Sequence, residues 1–323
     1  MDINFKILII DDNDDIIETY SEELTEYMLG KGFKLSIDNL RSQQEYLQKN
    51  VELNKFNLFL IDLNFDTIEL GTYFIDEIKK KCPVADILFY SSDGKAIMAQ
   101  RQSKDYEGIY FAQRDDTVDE ILPTAKKLLD KGIKNSESIV NVRGIILQNM
   151  SICDEKIKEK LDYFCLHFDG DWGNFKKKTF VYIDKSISHK YRYFLKAINY
   201  DAKDINFANR NSAEFTNSEI ELSVLYSDYR IVDSKTKFQI LCYFLNYFNI
   251  DCTILSERYE ELSDVRNLLA HKVEYNEDGD IVLRNEKKVI ILNEENCRNI
   301  RVKLLELLES LNEIKILNKT LHN

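Results

Sequence analysis

The chain has 323 residues, of which 44% are hydrophobic and 31% are charged. This length allows two domains, and this composition is typical of folded, soluble proteins. Two prolines and ten glycines are too few for long disordered tracts. No apolar run approaches the roughly 20 residues that cross a bilayer, and the first residues lack the features of a secretory signal. We therefore expect a cytoplasmic protein without membrane segments.

Charge and cysteine content narrow the function classes further. The net charge is −12, but residues 1–134 hold 17 basic and 26 acidic residues, whereas residues 135–323 hold 27 and 30. The second part therefore repels a polyanion far less, which permits nucleic-acid binding there. The six cysteines form no CxxC pair, so we expect reduced thiols and no structural zinc site.

The first 131 residues alternate short apolar runs with amphipathic stretches. Strands are predicted at 6–10, 33–37, 56–61, 86–90 and 108–112. Helices are predicted at 15–29, 42–51, 71–81, 94–103 and 117–131. The apolar runs are typical of parallel strands buried on both faces. The alternation predicts an α/β domain, a doubly wound five-stranded parallel sheet, with ligand sites at the carboxyl ends of the strands.

The second part changes to helical periodicity after a predicted linker at 132–138. An all-α helical bundle is expected over 139–323, with helices at 139–164, 235–248, 254–271 and 294–317. A small β-hairpin is predicted at 274–285, around the turn residues Asp278 and Gly279. Residues 169–230 show no clear period, and no element is assigned to them.

Acidic residues end two of the predicted strands. The run KILII leads directly into Asp11 and Asp12, and FNLFLI leads into Asp62. Converging carboxylates need a cation, and hard oxygen ligands suit Mg²⁺, which would leave Asp62 as a nucleophile toward a phosphoryl donor. Ser91, after the fourth strand, places a hydroxyl near the same edge. The alternative is that these residues only start loops and cap helices.

This arrangement resembles the receiver domain of two-component response regulators over residues 1 to about 131. The resemblance implies that Asp62 is the phosphoacceptor, that Ser91 and Tyr110 form the phosphoryl switch, and that a sensor histidine kinase or another phosphodonor is a partner. It implies that Mg²⁺ is held by Asp11, Asp12, Asp62 and the backbone carbonyl of Asn64. The sequence departs from the family three residues after Tyr110. Where the family has a lysine, this chain has Gln113 followed by Arg114, and no proline follows.

A second candidate site lies in the stretch DVRNLLAH at 264–271. On a helix, Asn267 and His271 share a face, whereas Arg266 is turned about 140° away from His271. A helix C-terminus favours the imidazolium form of a histidine, and arginine suits phosphate. A proton-transfer group and a phosphate clamp are what metal-free RNA cleavage at a 2′-hydroxyl requires.

The string RNLLAH resembles the R-x4-6-H motif of HEPN domains, helical bundles found in many prokaryotic defence and toxin ribonucleases. The resemblance spans residues 139–317 and implies catalytic roles for Arg266, Asn267 and His271. It also implies an acidic residue, Asp154, at the site, no cofactor there, and a homodimer whose two motifs face one cleft. The open alternatives are an ordinary solvated helix end and a HEPN bundle that pairs without cutting.

Two hypotheses follow for the whole chain. The first is a phosphorylation-regulated, metal-independent endoribonuclease, active in stress response or phage defence. The second is a signalling protein whose helical domain dimerises or binds a nucleotide or partner without catalysis. A DNA-binding regulator is disfavoured, because no helix-turn-helix pattern follows the first domain. The segments 176–180 and 189–194 mix basic and aromatic residues, as single-strand binders do and as solvated surfaces more often do.

Overall fold

A computed structural model describes most of the chain. The described residues are 3–49, 51–63, 68–95, 97–98, 107–114, 119–136, 139–167, 170–197, 232–269, 273–275, 281–284 and 288–314. Two compact units are present: unit 1 comprises Met1–Gln148 and Val265–Leu305, and unit 2 comprises Asn149–Asp264 and Glu306–Asn323. The limits of these two units do not coincide with the predicted domain boundaries at residues 131 and 139. Those boundaries stay a prediction.

Unit 1 contains a five-stranded, fully parallel sheet. Its strands are β1 Asn4–Ile10, β2 Lys34–Leu40, β3 Leu58–Asp62, β4 Asp86–Ser91 and β5 Ile109–Gln113. Their order in the sheet is β2-β1-β3-β4-β5. All five predicted strands are confirmed, with ends shifted by up to three residues. Because β1 and β3 are neighbours although β2 lies between them in the chain, the carboxyl ends of β1 and β3 form the switch point of the sheet.

Helices flank this sheet, and apolar side chains fill both sides of it. Their bounds are α1 Asp14–Gly30, α2 Gln43–Lys49, α3 Ile68–Lys81 and α4 Ile121–Ser136. On one face of β1, Leu8 and Ile10 join a buried cluster that includes Phe74 and Ile78 of α3. The predicted helix at 94–103 lies mostly outside the described residues, although residues 94–95 and 97–98 are helical.

Most of the predicted linker at 132–138 is helical, since α4 continues to Ser136. Ile133 is buried, so the apolar stripe of the helix extends past residue 131. A Cβ on Gly132 would lie 3.2 Å from the Phe5 ring, which shows how closely the helix approaches β1. Within the predicted boundary, Gly132 and Ile133 therefore allow close packing of α4.

Long helices make up most of the remaining described chain. They are α5 Ile139–His167, α6 Trp172–Ala197, α7 Ser234–Tyr247, α8 Thr253–Leu269 and α9 Glu294–Glu313. Four of these were predicted, and α6 occupies part of the segment to which no element was assigned. The apolar stripe predicted for the first of them is buried, from Val142 through Ile157 to Phe164.

A small antiparallel sheet in unit 1 contains the two strands of the predicted hairpin and adds a third strand. Its strands are β6 Val273–Tyr275, β7 Ile281–Arg284 and β8 Val289–Leu292, in the order β6-β7-β8. The first two were predicted. The third was missed because KVIIL is short and immediately precedes a strong helical pattern.

The turn between α1 and β2 packs against α9 within unit 1. The turn closes α1 with Gly32 in the left-handed region (φ +77°), and the N–H of Phe33 donates to the carbonyl of Met28 at 2.9 Å. Arg301 of α9 donates from Nε and Nη2 to the Lys31 carbonyl, both at 3.3 Å, and its guanidinium lies 4.4 Å from the Phe33 ring centre. This cation–π contact and these hydrogen bonds fix α9 to the turn.

Two further expectations can be compared with the structure. Among the described residues, no helix has both the length and the apolar composition that spanning a membrane requires. All six cysteines are free thiols, as predicted.

Candidate functional site

The ends of β1 and β3 bring three carboxylates together. The parallel register pairs Ile10 with Ile61, so Asp11 and Asp62 occupy equivalent positions at the switch point. Carboxylate oxygens of Asp11, Asp12 and Asp62 all lie within 4.8 Å of one another. Asp11 is buried, Asp62 half-buried and Asp12 exposed. The cluster therefore runs from the interior of the domain to its surface.

Asp11 is held through both of its carboxylate oxygens. Oδ1 accepts a 2.8 Å hydrogen bond from the N–H of Asn13, and Oδ2 accepts a 2.5 Å hydrogen bond from the Tyr90 hydroxyl. Asn13 in turn caps α1, accepting from the N–H of Asp15 at 3.0 Å and the N–H of Ile16 at 3.4 Å. The cap and the cluster are thus one connected arrangement.

Burial raises the pKa of Asp11 above its ordinary value, and the negative charge of Asp12 adds to this effect. The hydrogen bonds from Tyr90 and Asn13 and the positive charge of Arg114 act in the opposite direction. A crowded carboxylate set with one buried member, made only of oxygen donors, fits a small hard cation such as Mg²⁺. Asp11, Asp12 and Asp62 are the residues that would hold it. Asn64, the fourth predicted ligand, lies outside the described residues.

Ser91 ends β4 beside this cluster. Asp62 pairs with Tyr90 across the β3–β4 register, so Ser91 follows directly on the neighbouring strand. Its side chain is 1% exposed, and its Oγ accepts a 3.0 Å hydrogen bond from the N–H of Asp93. The hydroxyl that the sequence predicted at this edge is therefore buried at the same end of the sheet as the carboxylates.

Tyr110 lies further from the strand tips than Ser91. It pairs with Leu88 in the register of β4 and β5, whereas Ser91 pairs with Gln113. Its hydroxyl accepts a 3.0 Å hydrogen bond from Nζ of Lys131, which also contacts Asp86 at 3.0 Å. The hydrogen bond with Tyr110 and the contact with Asp86 raise the pKa of Lys131. Tyr110 is thus tied to α4 and to the opposite end of β4.

Arg114 is a basic residue whose charge acts on this site. Its N–H donates to the Ser91 carbonyl at 3.0 Å. Its positive charge acts to lower the pKa of both Asp11 and Tyr20. Gln113 points elsewhere: its side chain lies against Gly94, where an added Cβ would come within 2.7 Å of Oε1.

Sequence reasoning missed two tyrosines of this site. Tyr90 is 2% exposed and Tyr20 is 3% exposed, with ring centres 6.1 Å apart in an edge-to-face contact. Burial raises the pKa of Tyr20, and the neighbouring Asp119 adds to this. The available signal was a tyrosine at the end of a buried strand, because a buried phenol hydroxyl needs a polar partner.

The strand order gives the fold of this part of the chain. A parallel sheet in the order 2-1-3-4-5 is the doubly wound arrangement of flavodoxin and CheY, with ligands at the β1/β3 switch point. Here that point carries the acidic cluster. The first part of the chain has a receiver-like fold.

Comparison with known proteins adds solved structures but no family. No family model matches the chain, and no curated protein matches it. A response regulator receiver domain protein from Clostridium thermocellum is 18% identical, with 41% of this chain and 96% of that chain covered and a TM-score of 0.31. A CheY-like receiver domain protein from Methanospirillum hungatei JF-1 is 20% identical, with coverages of 41% and 98% and a TM-score of 0.29.

The predicted arginine–histidine site is described in part. Arg266 and Asn267 lie in the last turn of α8, where Arg266 is half-buried and Asn267 exposed. His271 lies outside the described residues. The helix is described as far as Leu269, and the last two residues of its predicted range lie outside the described residues. Both described side chains are accessible at a helix end of unit 1.

Asp154, the fourth predicted catalytic residue, belongs to unit 2 and joins three helices. Its Oδ2 accepts a 2.7 Å hydrogen bond from Ser234 at the start of α7, and its Oδ1 accepts a 3.2 Å hydrogen bond from the Tyr259 hydroxyl of α8. The Tyr259 ring is fully buried and stacks on Phe238 at 4.0 Å. These contacts connect α5 with α7 and α8.

Proposed function

We propose that this chain is a phosphorylation-responsive signalling protein with Asp62 as the phosphoacceptor. The observation that carries the proposal is the convergence of Asp11, Asp12 and Asp62 within 4.8 Å at the switch point. Asp62 is half-buried, so its carboxylate is accessible to a donor. In this proposal Ser91, on the neighbouring strand, donates a hydrogen bond to a phosphoryl oxygen.

The reaction is phosphoryl transfer to a carboxylate. An Asp62 oxygen attacks the phosphorus of a phosphohistidine, an O–P bond forms and the P–N bond breaks, and the departing imidazole takes a proton from water. When bound, Mg²⁺ supplies the positive charge that the incoming phosphoryl group requires. Asp11 and Asp12 would hold the ion together with Asp62, and the Asn64 carbonyl is proposed as a further ligand. A sensor histidine kinase or another phosphodonor is the partner this chemistry needs.

Arg114 supplies a second positive charge in this proposal. A phosphoryl group on Asp62 adds up to about two negative charges to an already acidic cluster. Arg114 follows the position at which the resembled family has a lysine, and its backbone is bonded to Ser91. Its charge already acts on Asp11. A guanidinium is suited to phosphoryl oxygens, because it is planar and always charged.

Incubation with acetyl phosphate and Mg²⁺, followed by intact-mass measurement, tests the acceptor. The wild-type protein should gain one phosphoryl group, and Asp62→Asn should gain none. Asp38→Asn is the control and should label like the wild type. It removes an exposed carboxylate of β2 that contacts Lys55 at 3.3 Å. Equal labelling of Asp62→Asn and the wild type would refute the assignment.

A matched pair of arginine variants tests Arg114. Arg114→Ala should bind beryllofluoride, a phosphoryl analogue, about tenfold more weakly, since a hydrogen bond to a charged group contributes roughly 1.5–3 kcal/mol. Arg41→Ala removes an exposed arginine that pairs with Asp14 and should bind like the wild type. Unchanged affinity in Arg114→Ala would contradict this role and leave Asp62 as the acceptor.

For the output we propose a metal-independent endoribonuclease that acts at Arg266, Asn267 and His271 in a homodimer. The support is the RNLLAH motif and the accessible position of Arg266 and Asn267 at the end of α8. Phosphorylation at Asp62 would alter how two copies pair. The second candidate is a helical part that dimerises or binds a ligand without cutting RNA.

RNA cleavage in the presence of EDTA separates these outputs. The nuclease proposal expects cleavage by the wild type, loss in Arg266→Ala and His271→Ala, and retention in Arg143→Ala, which changes an exposed arginine of α5. Cleavage that survives both site substitutions excludes the site. No cleavage, combined with a change in oligomer size on adding beryllofluoride, supports the non-catalytic output.

A further inference from the structure

Positive charge in this acidic protein is concentrated on two helices of unit 2. Helix α6 carries seven basic residues and one acidic residue, and α7 carries two lysines and no acidic residue. The whole chain has a net charge of −12. Helices α6 and α7 pack against each other. Lys235 of α7 is paired with Glu260, so the positive charge of this region comes mainly from α6. Such a region attracts polyanions although the protein as a whole repels them.

Three tyrosines form a row on this pair of helices. Tyr182 of α6 and Tyr243 of α7 have ring centres 6.5 Å apart with planes at 54°. Tyr247 follows one helical turn after Tyr243 and is 47% exposed. Phe175 is buried and lies 5.1 Å from Tyr243, which holds that ring in place. The row therefore has an exposed ring at Tyr247, next to Tyr243, whose ring is held by its contact with Phe175.

Two exposed lysines flank this row. Lys178 precedes Tyr182 by four residues and Lys185 follows it by three, so all three lie on one side of α6. Both lysines are exposed, and within the described parts of the chain neither takes part in an ion pair. Lys190 differs, because it is paired with Asp233 at 3.1 Å. We call Tyr182, Tyr243, Tyr247, Lys178 and Lys185 the tyrosine–lysine face.

We propose that the tyrosine–lysine face binds single-stranded RNA. Lysines attract the phosphates, and exposed rings stack on bases whatever the sequence. In a duplex the bases already stack on each other, so the rings favour single strands. The face would hold the substrate of the ribonuclease proposed above and in that respect rests on that function, but binding itself needs no cleavage.

Fluorescence anisotropy on the full chain tests the face. The probe is a labelled 2′-O-methyl oligouridine of about 16 nucleotides, the upper end of common site sizes, which the proposed ribonuclease cannot cleave because it has no free 2′-hydroxyl. Lys178→Ala/Lys185→Ala should weaken binding at least tenfold, on the order of the effect of two phosphate contacts, and should reduce the salt slope by about 1.4. Lys80→Ala/Lys127→Ala, which removes two exposed lysines of unit 1, should leave binding unchanged.

Tyrosine variants test stacking separately from charge. Tyr247→Ala should lose roughly tenfold in affinity, because one stacked base contributes about that much. Tyr247→Phe keeps the ring and should retain binding. Equal loss in both tyrosine variants, or equal loss in both lysine pairs, overturns the proposal.

The choice of ligand decides the remaining outcomes. Duplex RNA of the same length should bind more weakly, and vesicles with anionic lipids should not sediment the protein. Duplex binding as tight as single-strand binding, or vesicle binding without RNA binding, overturns the assignment. Binding without any cleavage supports the face and counts against the nuclease. Cleavage that persists at wild-type efficiency in Lys178→Ala/Lys185→Ala counts against the face alone.

Discussion

The Tyr90 hydroxyl donates a 2.5 Å hydrogen bond to Oδ2 of Asp11 from a ring that is 2% exposed. The backbone N–H of Asn13 donates a hydrogen bond to the other oxygen of the same carboxylate. Asp11 is therefore fixed between the start of α1 and the end of β4. Partners that hold a metal-binding side chain affect metal affinity through its orientation. Tyr90 is accordingly a positioning residue for the acidic cluster.

Replacing Tyr90 with phenylalanine should weaken Mg²⁺ binding by roughly tenfold. The substitution removes the hydroxyl and keeps the ring, so Asp11 loses its orientation while the core remains filled. Isothermal titration with Mg²⁺ measures the effect. Tyr27→Phe is the control, because Tyr27 also donates to a carboxylate, that of Asp130 at 2.7 Å, away from the cluster. Equal Mg²⁺ affinities for Tyr90→Phe and the wild type would show that Tyr90 only fills space.

The pH dependence of stability should report the buried carboxylate of Asp11. Burial raises the pKa of Asp11 above the ordinary value of 3.8, so the folded protein holds this proton more tightly than the unfolded chain. Its contribution is fully present below pH 3.8 and is lost as the pH rises through the higher folded-state pKa. Asp11→Asn cannot undergo this loss. Without Mg²⁺, its free energy of unfolding should therefore fall less with rising pH.

Urea unfolding in EDTA at a series of pH values measures this difference. Glu18→Gln removes an exposed carboxylate from α1 and should follow the wild-type curve. Mg²⁺ binds only the folded state, so it should stabilise the wild type more than Asp11→Asn. A wild-type curve parallel to that of Asp11→Asn would mean that Asp11 is not the group responsible.

The acidic cluster could be predicted from the sequence because strand ends are visible there. Apolar runs that stop at Asp11 and Asp62 define where each strand ends, and a parallel sheet places such ends together. The contact between Tyr90 and Asp11 depends on how the Tyr90 ring packs between β4 and α1. The local sequence pattern does not predict this packing. The contribution of Arg114 depends on its side-chain direction after β5, where one residue of register changes the face.

In the helical part of the chain, the sequence predicts α5 but not α6. The stripe from Val142 to Phe164 is continuous, and its burial follows from its period. In α6 the aromatic and basic residues alternate without a clear apolar stripe, so the helix was missed. Asp154 was chosen by resemblance, whereas its contacts with Ser234 and Tyr259 depend on how three helices pack.

Replacing Asp154 with alanine should destabilise unit 2 by about 1–3 kcal/mol, because the buried hydroxyl of Tyr259 loses its acceptor. If Asp154 is structural, any RNA cleavage per folded molecule should stay at the wild-type level. Urea unfolding and cleavage normalised to folded protein separate the two roles. Glu155→Ala, an exposed neighbour on α5, should be neutral in both. Loss of cleavage with unchanged stability would instead favour the predicted catalytic role.

Two glycines at the end of α1 should respond oppositely to alanine. Gly32 has φ +77°, and a Cβ there would lie 2.8 Å from Cβ of Arg301 and 3.0 Å from the carbonyl oxygen of Arg298. Gly32→Ala should therefore lower the free energy of unfolding by at least about 1–2 kcal/mol, which is the cost of the left-handed backbone conformation alone. Gly30 is helical with open space around it, so Gly30→Ala should stabilise by up to about 1 kcal/mol.

Urea unfolding followed by circular dichroism compares the two variants with the wild type. The steric part of the Gly32→Ala effect requires that α9 stay against the turn, since its backbone atoms cannot move aside as a flexible side chain would. Combining Gly32→Ala with Arg301→Ala keeps a Cβ at position 301, so the clash should remain in the double variant. A Gly32→Ala protein that loses no more than the roughly 1–2 kcal/mol of the left-handed backbone would mean that the turn and α9 are separated in solution.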